Sequence, residues 1–303
     1  MNTALIPQLQ NYLLQGLNDD GWEMDWTTLG VAKAGGKKGI RKIKAKIIAK
    51  SSGVWVGEGL SQALELLSNE MGSPIRVKSL KTDGTFLKPG VTVCQWEGSP
   101  QAILALERPF LNVVSYLGGI ATRTRGLVDQ VEKAWPRNEK SALPRVTSTR
   151  KTLPHYRDIA VYAVMCGGGF AHRVSLSGGV LIKENHIAAA GGIAQALAGV
   201  RSVAPHGLKL EIEVRNLKEL SKALKSGADA VLLDNFTPAE VKEALILIQH
   251  SSASEVAKPV VEVSGGLNES SIASYAIPGV HVLSVGSLTH SVQSIDLSLL
   301  VTE

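Results

Sequence analysis

The pattern of hydrophobic and polar positions changes near Pro136. Before that point, apolar residues recur at both helical and alternating spacings, which predicts helices mixed with strands. The predicted helices are Ile6–Leu17, Ser61–Met71 with Ser61 as its N-cap, and Gln101–Trp135, which we expect to break at Gly118 and Gly119. The predicted strands are Ile43–Ala49, Val54–Val56, Val77–Leu80 and Val91–Glu97. This mixture is typical of an α+β domain.

After Pro136 the pattern becomes a regular alternation of short apolar strands and amphipathic helices. The predicted strands are Val146–Thr149, Leu181–Lys183, Leu208–Val214, Ala230–Asp234, Val260–Ser264 and Val282–Val285. The predicted helices are Asp158–Cys166, Ile193–Val203, Leu217–Ser226, Pro238–Gln249 and Glu269–Ala276. Strand–helix alternation builds a parallel sheet, and apolar strands without polar alternation are covered on both faces. Six such units fit an open doubly wound sheet or a closed barrel.

Polar or glycine residues lie at the carboxyl end of every one of these six strands. In a barrel those ends converge on one mouth, where barrels carry their active sites, whereas an open sheet uses only the strands beside its switch point. We therefore expect barrel-like closure with a site at its mouth. The cations expected there are Arg150, Lys151, Arg173 and Lys183, with His172 beside them. So many cations predict a ligand that carries several negative charges.

Three carboxylates are expected at the same mouth. Glu213 and Asp234 suit a divalent metal ion or ribose hydroxyls, because carboxylate oxygens are good acceptors and hard ligands. Glu211 shares a strand face with Glu213, so a barrel interior would have to supply cationic or hydroxyl partners. The alternative is an exposed edge strand with two solvated glutamates.

Two glycine loops follow the last two strands, in VEVSGGLN and VLSVGSLTH. Glycine lets backbone N–H groups approach an anion, and a helix predicted to begin near Asn268 would add its positive end. Barrels often bind phosphate with these two loops. The sequence therefore predicts a phosphate site there.

Composition excludes several classes of protein. Of the 303 residues, 44% are hydrophobic and 19% charged, as in folded proteins and unlike disordered chains. Two cysteines, Cys94 and Cys166, cannot build a disulfide framework or a four-cysteine zinc site. No apolar run is long enough to span a membrane, and the N-terminus lacks the pattern of an export signal. We expect a cytoplasmic protein with free thiols and without a nucleophile triad or an HExxH zinc motif.

The net charge of +5 favours anionic partners. Lys33–Lys50 contains eight basic residues and no acidic one. Within it, Ile43, Ala45 and Ile47 alternate with lysines, which is typical of a half-buried strand with a solvated lysine face. Nucleic-acid binding is the alternative, but aromatic residues are not interleaved there.

The block STRKTLPHYRDIAVYAVMCGGGFAHRVSLSGGVLIKENHI resembles the signature of the quinolinate phosphoribosyltransferase family, also called carboxylating nicotinate-nucleotide pyrophosphorylases. ERPFLNVVSYLGGIATRTR, EIEVRNLKEL, AVLLDNFTP, VEVSGGLN and VLSVGSLTHS are similar to other blocks of that family, in the same order. The resemblance covers most of residues 100–295 and, more loosely, the N-terminal region, where MDWTT replaces a Gly-Asp-x-Thr pattern.

The resemblance implies a pentosyltransferase of NAD biosynthesis. Quinolinate and phosphoribosyl pyrophosphate would give nicotinate mononucleotide, pyrophosphate and carbon dioxide, with Mg²⁺. The implied fold is an incomplete α/β barrel, residues 118–287, with an N-terminal α+β sandwich, residues 1–117, which the C-terminal segment 288–303 rejoins. The implied assembly is a homodimer or a hexamer built as a trimer of dimers, with no nucleic acid or membrane partner.

The resemblance also implies roles for matching residues. The quinolinate carboxylates and the pyrophosphate would be held by Thr149, Arg150, Lys151, His172, Arg173 and Lys183. Ribose hydroxyls and magnesium, the latter largely through substrate and water, would be met by Glu213 and Asp234. Phosphate would be bound by Ser264, Gly265, Gly266, Val285, Gly286 and Ser287. Arg108 matches the family's arginine that enters the active site from a neighbouring subunit.

The chain departs from the family pattern at three positions. Ser148 stands where an acid is usual, His155 where glycine is frequent, and Gly178 where aspartate is usual. These changes could weaken the support of Arg150 or Arg173 and alter affinity, but they leave every expected cation in place. A same-fold relative associated with molybdate transport is the nearest alternative, and its pattern is less like LIKENH.

Overall fold

A computed structural model describes residues 3–34, 42–251 and 258–302. The helices are α1 Ile6–Asp20, α2 Trp26–Ala34, α3 Glu58–Glu70, α4 Pro100–Ala134, α5 Arg157–Cys166, α6 Glu184–Ala190, α7 Ile193–Val203, α8 Leu217–Lys225, α9 Pro238–Ser251 and α10 Ser287–His290. The strands are β1 Ile43–Ala49, β2 Gly53–Val54, β3 Arg76–Ser79, β4 Phe86–Leu87, β5 Thr92–Gly98, β6 Arg145–Thr147, β7 Val180–Ile182, β8 Leu210–Val214, β9 Ala230–Asp234, β10 Val260–Ser264, β11 Val282–Ser284 and β12 Leu297–Val301.

The chain forms two compact units. The first contains Met1–Arg123, Asp158–Gly168 and Val292–Glu303, and the second contains Thr124–Arg157 and Gly169–Ser291. The first unit therefore includes most of α5 and the C-terminal strand β12. The domain bounds given by the resemblance stay a prediction.

The first unit is built on a four-stranded antiparallel sheet in the order β12-β1-β5-β3. In β1, Ala45, Ile47 and Ala49 are buried, whereas Lys44 is exposed and Lys46 is half-buried. As predicted, the apolar residues of β1 alternate with lysines because one face of the strand is buried and the other faces solvent. The remainder of the basic run, residues 35–41, lies outside the described residues.

Helix α4 is continuous, so the predicted break at Gly118 and Gly119 is wrong. A Cβ at Gly118 would lie 2.4 Å from Ile295 Cδ1, and one at Gly119 would lie 2.3 Å from the Gln293 carbonyl oxygen. These glycines allow the C-terminal segment to pass close to the helix. Each glycine lowers the stability of helix α4 by about 1 kcal/mol relative to alanine. The packing of the C-terminal segment against the helix outweighs this cost.

Helix α3 begins three residues earlier than predicted. Ser61 is not its N-cap but lies in the first turn, where its hydroxyl donates to the Gly57 carbonyl at 2.8 Å. The amides of Gly57 and Glu58 instead donate to Asp83 Oδ1 at 2.7 and 2.9 Å. A carboxylate distant in sequence therefore satisfies the exposed N–H groups of this helix end.

The second unit carries six parallel strands in the order β6-β11-β10-β9-β8-β7. The first and second strands in sequence lie at opposite ends of this order. In the described part of the chain, only an isolated bridge between Thr147 and Phe170 extends the β6 side toward the gap. The fold is thus the incomplete α/β barrel that the family resemblance implies, and in the described residues the sheet does not close between β6 and β7.

Other elements of this unit also differ from prediction. The predicted helix Glu269–Ala276 is only a 3-10 helix at Ile272–Tyr275, so the positive helix end expected near Asn268 is not formed. Helices α6 and α10 were not predicted. No helix in the described ranges combines the length and the apolar character that crossing a membrane requires.

Candidate active site

The interior face of the parallel sheet carries two rows of side chains near the carboxyl ends of its strands. Glu213 and Glu262 are each in register with Leu232 of the central strand β9. The next row on this face, two residues farther along each strand, aligns Asp234, Ser264, Ser284 and Thr147. Thr147 and Ser284 are joined there by a 2.7 Å hydrogen bond between their hydroxyl oxygens.

Lys183 lies at the boundary between β7 and α6. Its Nζ is 3.6 Å from Glu213 Oε2, which gives this glutamate the cationic partner that its place inside a barrel requires. The Lys183 amide donates to His186 Nδ1 at 2.9 Å, so His186 caps the start of α6. In the KENH sequence, the chain thus passes from strand β7 to helix α6 at Lys183, the residue whose amine approaches Glu213.

Thr149, Arg150 and Lys151 follow β6 and meet the loop after β11. A Cβ at Gly286 would lie 3.3 Å from Thr149 Oγ1 and 3.2 Å from Lys151 Cδ. Thr289 Oγ1 donates to the Lys151 carbonyl at 2.7 Å. One predicted phosphate loop, Val285–Ser287, is thus brought beside the predicted cations.

The other predicted phosphate loop, Ser264–Gly266, packs on the end of β9. Gly265 has φ of +101°, and a Cβ there would lie 2.3 Å from Asn235 Oδ1. Asn235 itself has φ of +58°, and its Nδ2 donates to Asp234 Oδ2 at 2.9 Å. The close approach of Gly265 thus lets Asn235 orient the Asp234 carboxylate.

Arg173 is a half-buried cation with a second cation nearby. Its Nη1 donates to the Gly179 carbonyl at 3.0 Å. Burial lowers the pKa of Arg173, and the charge of Arg150 lowers it further, although Glu211 and Glu262 act in the opposite direction. Arg150 and Arg173 therefore create a region where an anionic ligand would be stabilised.

His172 lies between two buried carboxylates. Its Nε2 is 3.1 Å from Glu262 Oε2 and 3.6 Å from Glu211 Oε2, and its Nδ1 accepts the Arg173 backbone N–H at 2.8 Å. Hydrogen bonds with the two glutamates raise the pKa of His172 to about 10, while burial raises the pKa of Glu211. Because these groups titrate together, the raised pKa belongs to the cluster, which holds one added proton at neutral pH. Since Nδ1 accepts the Arg173 N–H, the ring itself is neutral with its hydrogen on Nε2, and the two carboxylates hold the added proton.

The His172 cluster shows whether Glu211 lies inside the barrel or on a solvated edge strand. It also contains a residue, Glu262, that the sequence analysis missed. Glu211 is 9% exposed on an interior strand, so the alternative of a solvated edge strand is wrong. Glu262 is 3% exposed and was not singled out. Its position two residues before Ser264 placed it on the same strand face, which was the available signal.

The residues expected to meet magnesium are suitable in chemistry and position. Glu213 and Asp234 lie on the same face of adjacent strands and are half-buried, so their oxygens remain within reach of a ligand. Hard oxygen donors of this kind suit Mg²⁺, which usually takes only one or two protein carboxylates and completes its shell with water and phosphate.

Three further positions were singled out in the sequence. Arg108 is exposed on α4, in the first unit. Ser148 is buried at 1% exposure, and His155 has φ of +64°, a backbone conformation that glycine adopts most easily. The roles of the predicted site residues stay predictions.

The cysteines are both free thiols. Burial raises the pKa of Cys94 and of Cys166 to about 12 in each case. A thiol with such a pKa is protonated at neutral pH and is a poor nucleophile. Neither thiol is therefore a candidate nucleophile.

Family models match nearly the whole chain. The N-terminal domain of quinolinate phosphoribosyl transferase matches residues 25–117, and its C-terminal domain matches residues 120–300. The nicotinate-nucleotide pyrophosphorylase (carboxylating) of Mycobacterium leprae is 36% identical over 279 residues, which cover 91% of this chain and 90% of the relative.

Solved structures extend the likeness to the fold. The nicotinate-nucleotide pyrophosphorylase of Ehrlichia chaffeensis superposes with a TM-score of 0.83 at 29% identity, covering 100% of both chains. The enzyme of the same description from Francisella tularensis gives a TM-score of 0.82 at 30% identity, covering 100% of this chain and 98% of the other.

Proposed function

The chain belongs to the quinolinate phosphoribosyl transferase family, and we propose that it carries out the reaction for which its relatives are named. It transfers the phosphoribosyl group of phosphoribosyl pyrophosphate to quinolinate with decarboxylation. The products are nicotinate mononucleotide, pyrophosphate and carbon dioxide, in NAD biosynthesis. The chain is thus a pentosyltransferase.

The observation that carries this proposal is the pairing of cations and carboxylates at the end of the parallel sheet. Burial lowers the pKa of Arg173 and the charge of Arg150 lowers it further. Lys183 lies at the same carboxyl end of the strands, 3.6 Å from Glu213. Quinolinate brings two carboxylates, which would offset the repulsion between the arginines. The sugar donor brings phosphate groups and hydroxyls, which suit the two glycine loops and the interior carboxylates.

We assign the residues accordingly. Arg150, Arg173 and Lys183 hold the quinolinate carboxylates, and Lys151 with Thr149 meets the pyrophosphate. Glu213 and Asp234 accept hydrogen bonds from the ribose hydroxyls. The 5′-phosphate is bound by backbone N–H groups of the two loops, Ser264–Gly266 and Val285–Ser287.

The reaction then requires two changes of bonding. The quinolinate ring nitrogen forms a bond to the anomeric carbon of the sugar, while the bond from that carbon to the pyrophosphate oxygen breaks. Loss of the 2-carboxylate as carbon dioxide leaves its electron pair on the ring carbon, which takes up a proton. Fixed cations stabilise the departing pyrophosphate and orient the ring for both steps.

Mg²⁺ would be held near Glu213 and Asp234, and when bound it neutralises charge on the pyrophosphate. Asn235 keeps the Asp234 carboxylate in place through its 2.9 Å hydrogen bond. The Lys183 amine lies 3.6 Å from Glu213 Oε2 and partly neutralises the charge of this carboxylate. These contacts prepare the interior face for hydroxyl groups and a hydrated cation.

We further propose that the protein assembles as a homodimer, or as a hexamer of three dimers, with a shared active site. Arg108 is an exposed arginine on α4, and the family resemblance assigns this position to a neighbouring subunit's site. A guanidinium group binds a carboxylate through two parallel hydrogen bonds, which suits recognition of quinolinate.

Both alternatives from the sequence are less well supported. The family matches and the full-length relatives favour the phosphoribosyl transfer reaction over the molybdate-associated relative. Lys44 and Lys46 lie on an interior strand whose other face packs in the core, which accounts for that part of the basic run without nucleic acid.

The direct test supplies purified protein with phosphoribosyl pyrophosphate, magnesium and quinolinate labelled with ¹³C in its 2-carboxylate. Formation of nicotinate mononucleotide with equal release of labelled carbon dioxide supports the proposal. Absence of both products from a folded sample, with an active relative run beside it, rejects it.

A further inference from the structure

His172 has both ring nitrogens engaged within the protein. Nδ1 accepts the Arg173 N–H at 2.8 Å, and Nε2 lies 3.1 Å from Glu262 Oε2. Because Nδ1 accepts, Nε2 carries the ring hydrogen and donates it toward the carboxylates. In this arrangement the imidazole has no ring nitrogen left to bind quinolinate, so its contribution must pass through its neighbours.

The carboxylate that holds this ring is rigidly placed. Glu262 lies in the middle of β10, which is paired on both sides by β9 and β11, and it is 3% exposed. Glu211 approaches the same ring nitrogen at 3.6 Å from β8. Two interior strands of the barrel therefore fix the imidazole, although His172 itself follows the isolated bridge at Phe170 and is not in a strand.

The ring in turn fixes the start of the segment that carries Arg173. Its Nδ1 holds the Arg173 amide, and the other end of the residue is held by the bond from Nη1 to the Gly179 carbonyl at 3.0 Å. Rotation of the imidazole would release the amide and let the guanidinium move relative to Arg150. Displacements of about 1 Å at a binding group can lower a rate a hundredfold.

We propose that Glu262 is a positioning residue for quinolinate binding, which holds His172 so that His172 holds Arg173. The inference rests on the proposed function, because it assigns Arg173 to the quinolinate carboxylates. It adds to that function a buried residue that touches no substrate. Glu211 supports the same ring nitrogen, which its Oε2 approaches to 3.6 Å.

A metal ion is the competing explanation for this cluster. One ligand atom from each of His172, Glu211 and Glu262 lies within 4.8 Å of the others, which is also compatible with a shared ion. However, Nε2 and Glu262 Oε2 are at hydrogen-bonding distance, and the adjacent Arg173 is a cation. A proton shared in the cluster satisfies the buried carboxylates without a second positive ion beside the arginine.

The test compares Glu262→Gln with the wild type and with the exposed control Glu243→Gln. The glutamine keeps the side chain's shape and one oxygen that can accept the Nε2 hydrogen, but it removes the charge that strengthens this bond. We therefore expect a lower melting temperature in a protein that is still folded at the assay temperature. We expect the KM for quinolinate to rise about tenfold, while the KM for phosphoribosyl pyrophosphate changes less than about twofold. The control should match the wild type in both.

A double variant tests whether Glu262 acts through His172. If it does, adding Glu262→Gln to His172→Gln should not raise the quinolinate KM further, because the link is already broken. Additive effects would overturn the proposal. So would a wild-type quinolinate KM in Glu262→Gln, or equal losses for both substrates, which would show a structural role only.

A substrate-free measurement separates this inference from the proposed function. Long-range ¹H–¹⁵N spectra of histidine-labelled protein, assigned with His172→Gln, should show Nε2 protonated and Nδ1 unprotonated in His172. A protonated Nδ1, or a ring signal that shifts on chelator treatment as a bound metal would require, contradicts the positioning contact. If the spectra agree but the wild type does not use quinolinate, the proposed function fails while the contact stands.

Discussion

Lys183 Nζ and Glu213 Oε2 are 3.6 Å apart, joining the end of β7 to the interior face of β8. The lysine side chain is 50% exposed, whereas that of the glutamate is 16% exposed. The amine is therefore close enough to balance an interior carboxylate and open enough to meet a ligand. This pair explains how an acidic residue can lie inside the barrel beside a site for anions.

Replacing Lys183 by alanine should separate activity from stability. An ion pair this exposed contributes about 0–1 kcal/mol to folding, so the unfolding free energy should change little. Activity should fall at least about a hundredfold, because the cation would no longer stabilise the substrate's negative charge. Kinetics and urea unfolding of Lys183→Ala, with exposed Lys242→Ala as its control, test this. A loss of activity that only tracks unfolding would contradict the assignment.

Asp234 should be required for activity but not for folding. Helix α9 is capped by Thr237 and Glu240, whose side chains exchange hydrogen bonds with each other's backbone N–H groups, so Asp234 is not needed as its cap. Asp234→Ala should lower kcat/KM by about a hundredfold or more, because a ligand of the ribose and the hydrated metal is lost. The melting temperature should stay within about 3 °C of the wild type.

Chelation should have the same effect as this substitution and should be reversible. Excess EDTA should abolish activity, and added Mg²⁺ should restore it, because phosphate charge would otherwise remain unneutralised. Calcium, which prefers longer bonds and more ligands, should restore less. Full activity in buffer freed of metal would exclude the proposed magnesium requirement.

The sequence predicts the parallel strands of the second unit most accurately. The bounds of β9 and β10 are those predicted, because short apolar runs between polar ends have few alternative structures. The argument that Glu211 and Glu213 need partners is also confirmed, since His172 and Lys183 supply them. The local hydrophobic pattern was sufficient to predict the strand bounds, and the cost of burying a charge was sufficient to predict that the two glutamates have partners.

The remaining elements depend on contacts distant in sequence. The capping carboxylate of α3 is Asp83, 25 residues beyond Glu58, so Ser61 was the wrong local signal. Gly118 resembles a helix break until Ile295 is seen packed against it. Glu262 was missed because its partner, His172, lies 90 residues away and no spacing rule connects them.

Folding stability should fall as pH rises from about 7 to 9. Hydrogen bonds with Glu211 and Glu262 raise the pKa of His172 to about 10, and because Nδ1 accepts the Arg173 N–H, the cluster holds this added proton on the side of Nε2 and the carboxylates. The unfolded chain releases that proton. The stabilisation is fully present below about pH 6.5 and is lost as pH rises through the folded pKa. Urea unfolding across this range, compared with His172→Gln, measures it. A difference between the two proteins that is constant with pH would contradict the coupling.

A shared active site predicts recovery of activity in mixed dimers. Arg108→Ala and Lys183→Ala should each be nearly inactive alone, because each lacks one group of every site. After subunit exchange, a heterodimer would have one site with both lesions and one site with neither. Activity should therefore return in proportion to the heterodimer measured by native mass spectrometry. Heterodimers without activity would show that Arg108 does not serve a neighbouring site.

Selectivity for a dicarboxylate tests the central claim most directly. Arg150, Arg173 and Lys183 present more positive charge than one carboxylate and a diphosphate require, and a cation left unpaired is costly. Quinolinate and nicotinate should be offered in parallel, each with phosphoribosyl pyrophosphate and Mg²⁺, and formation of nicotinate mononucleotide measured. We predict that kcat/KM for quinolinate exceeds that for nicotinate by about 10⁴-fold or more. Equal turnover of the two acids would contradict the account.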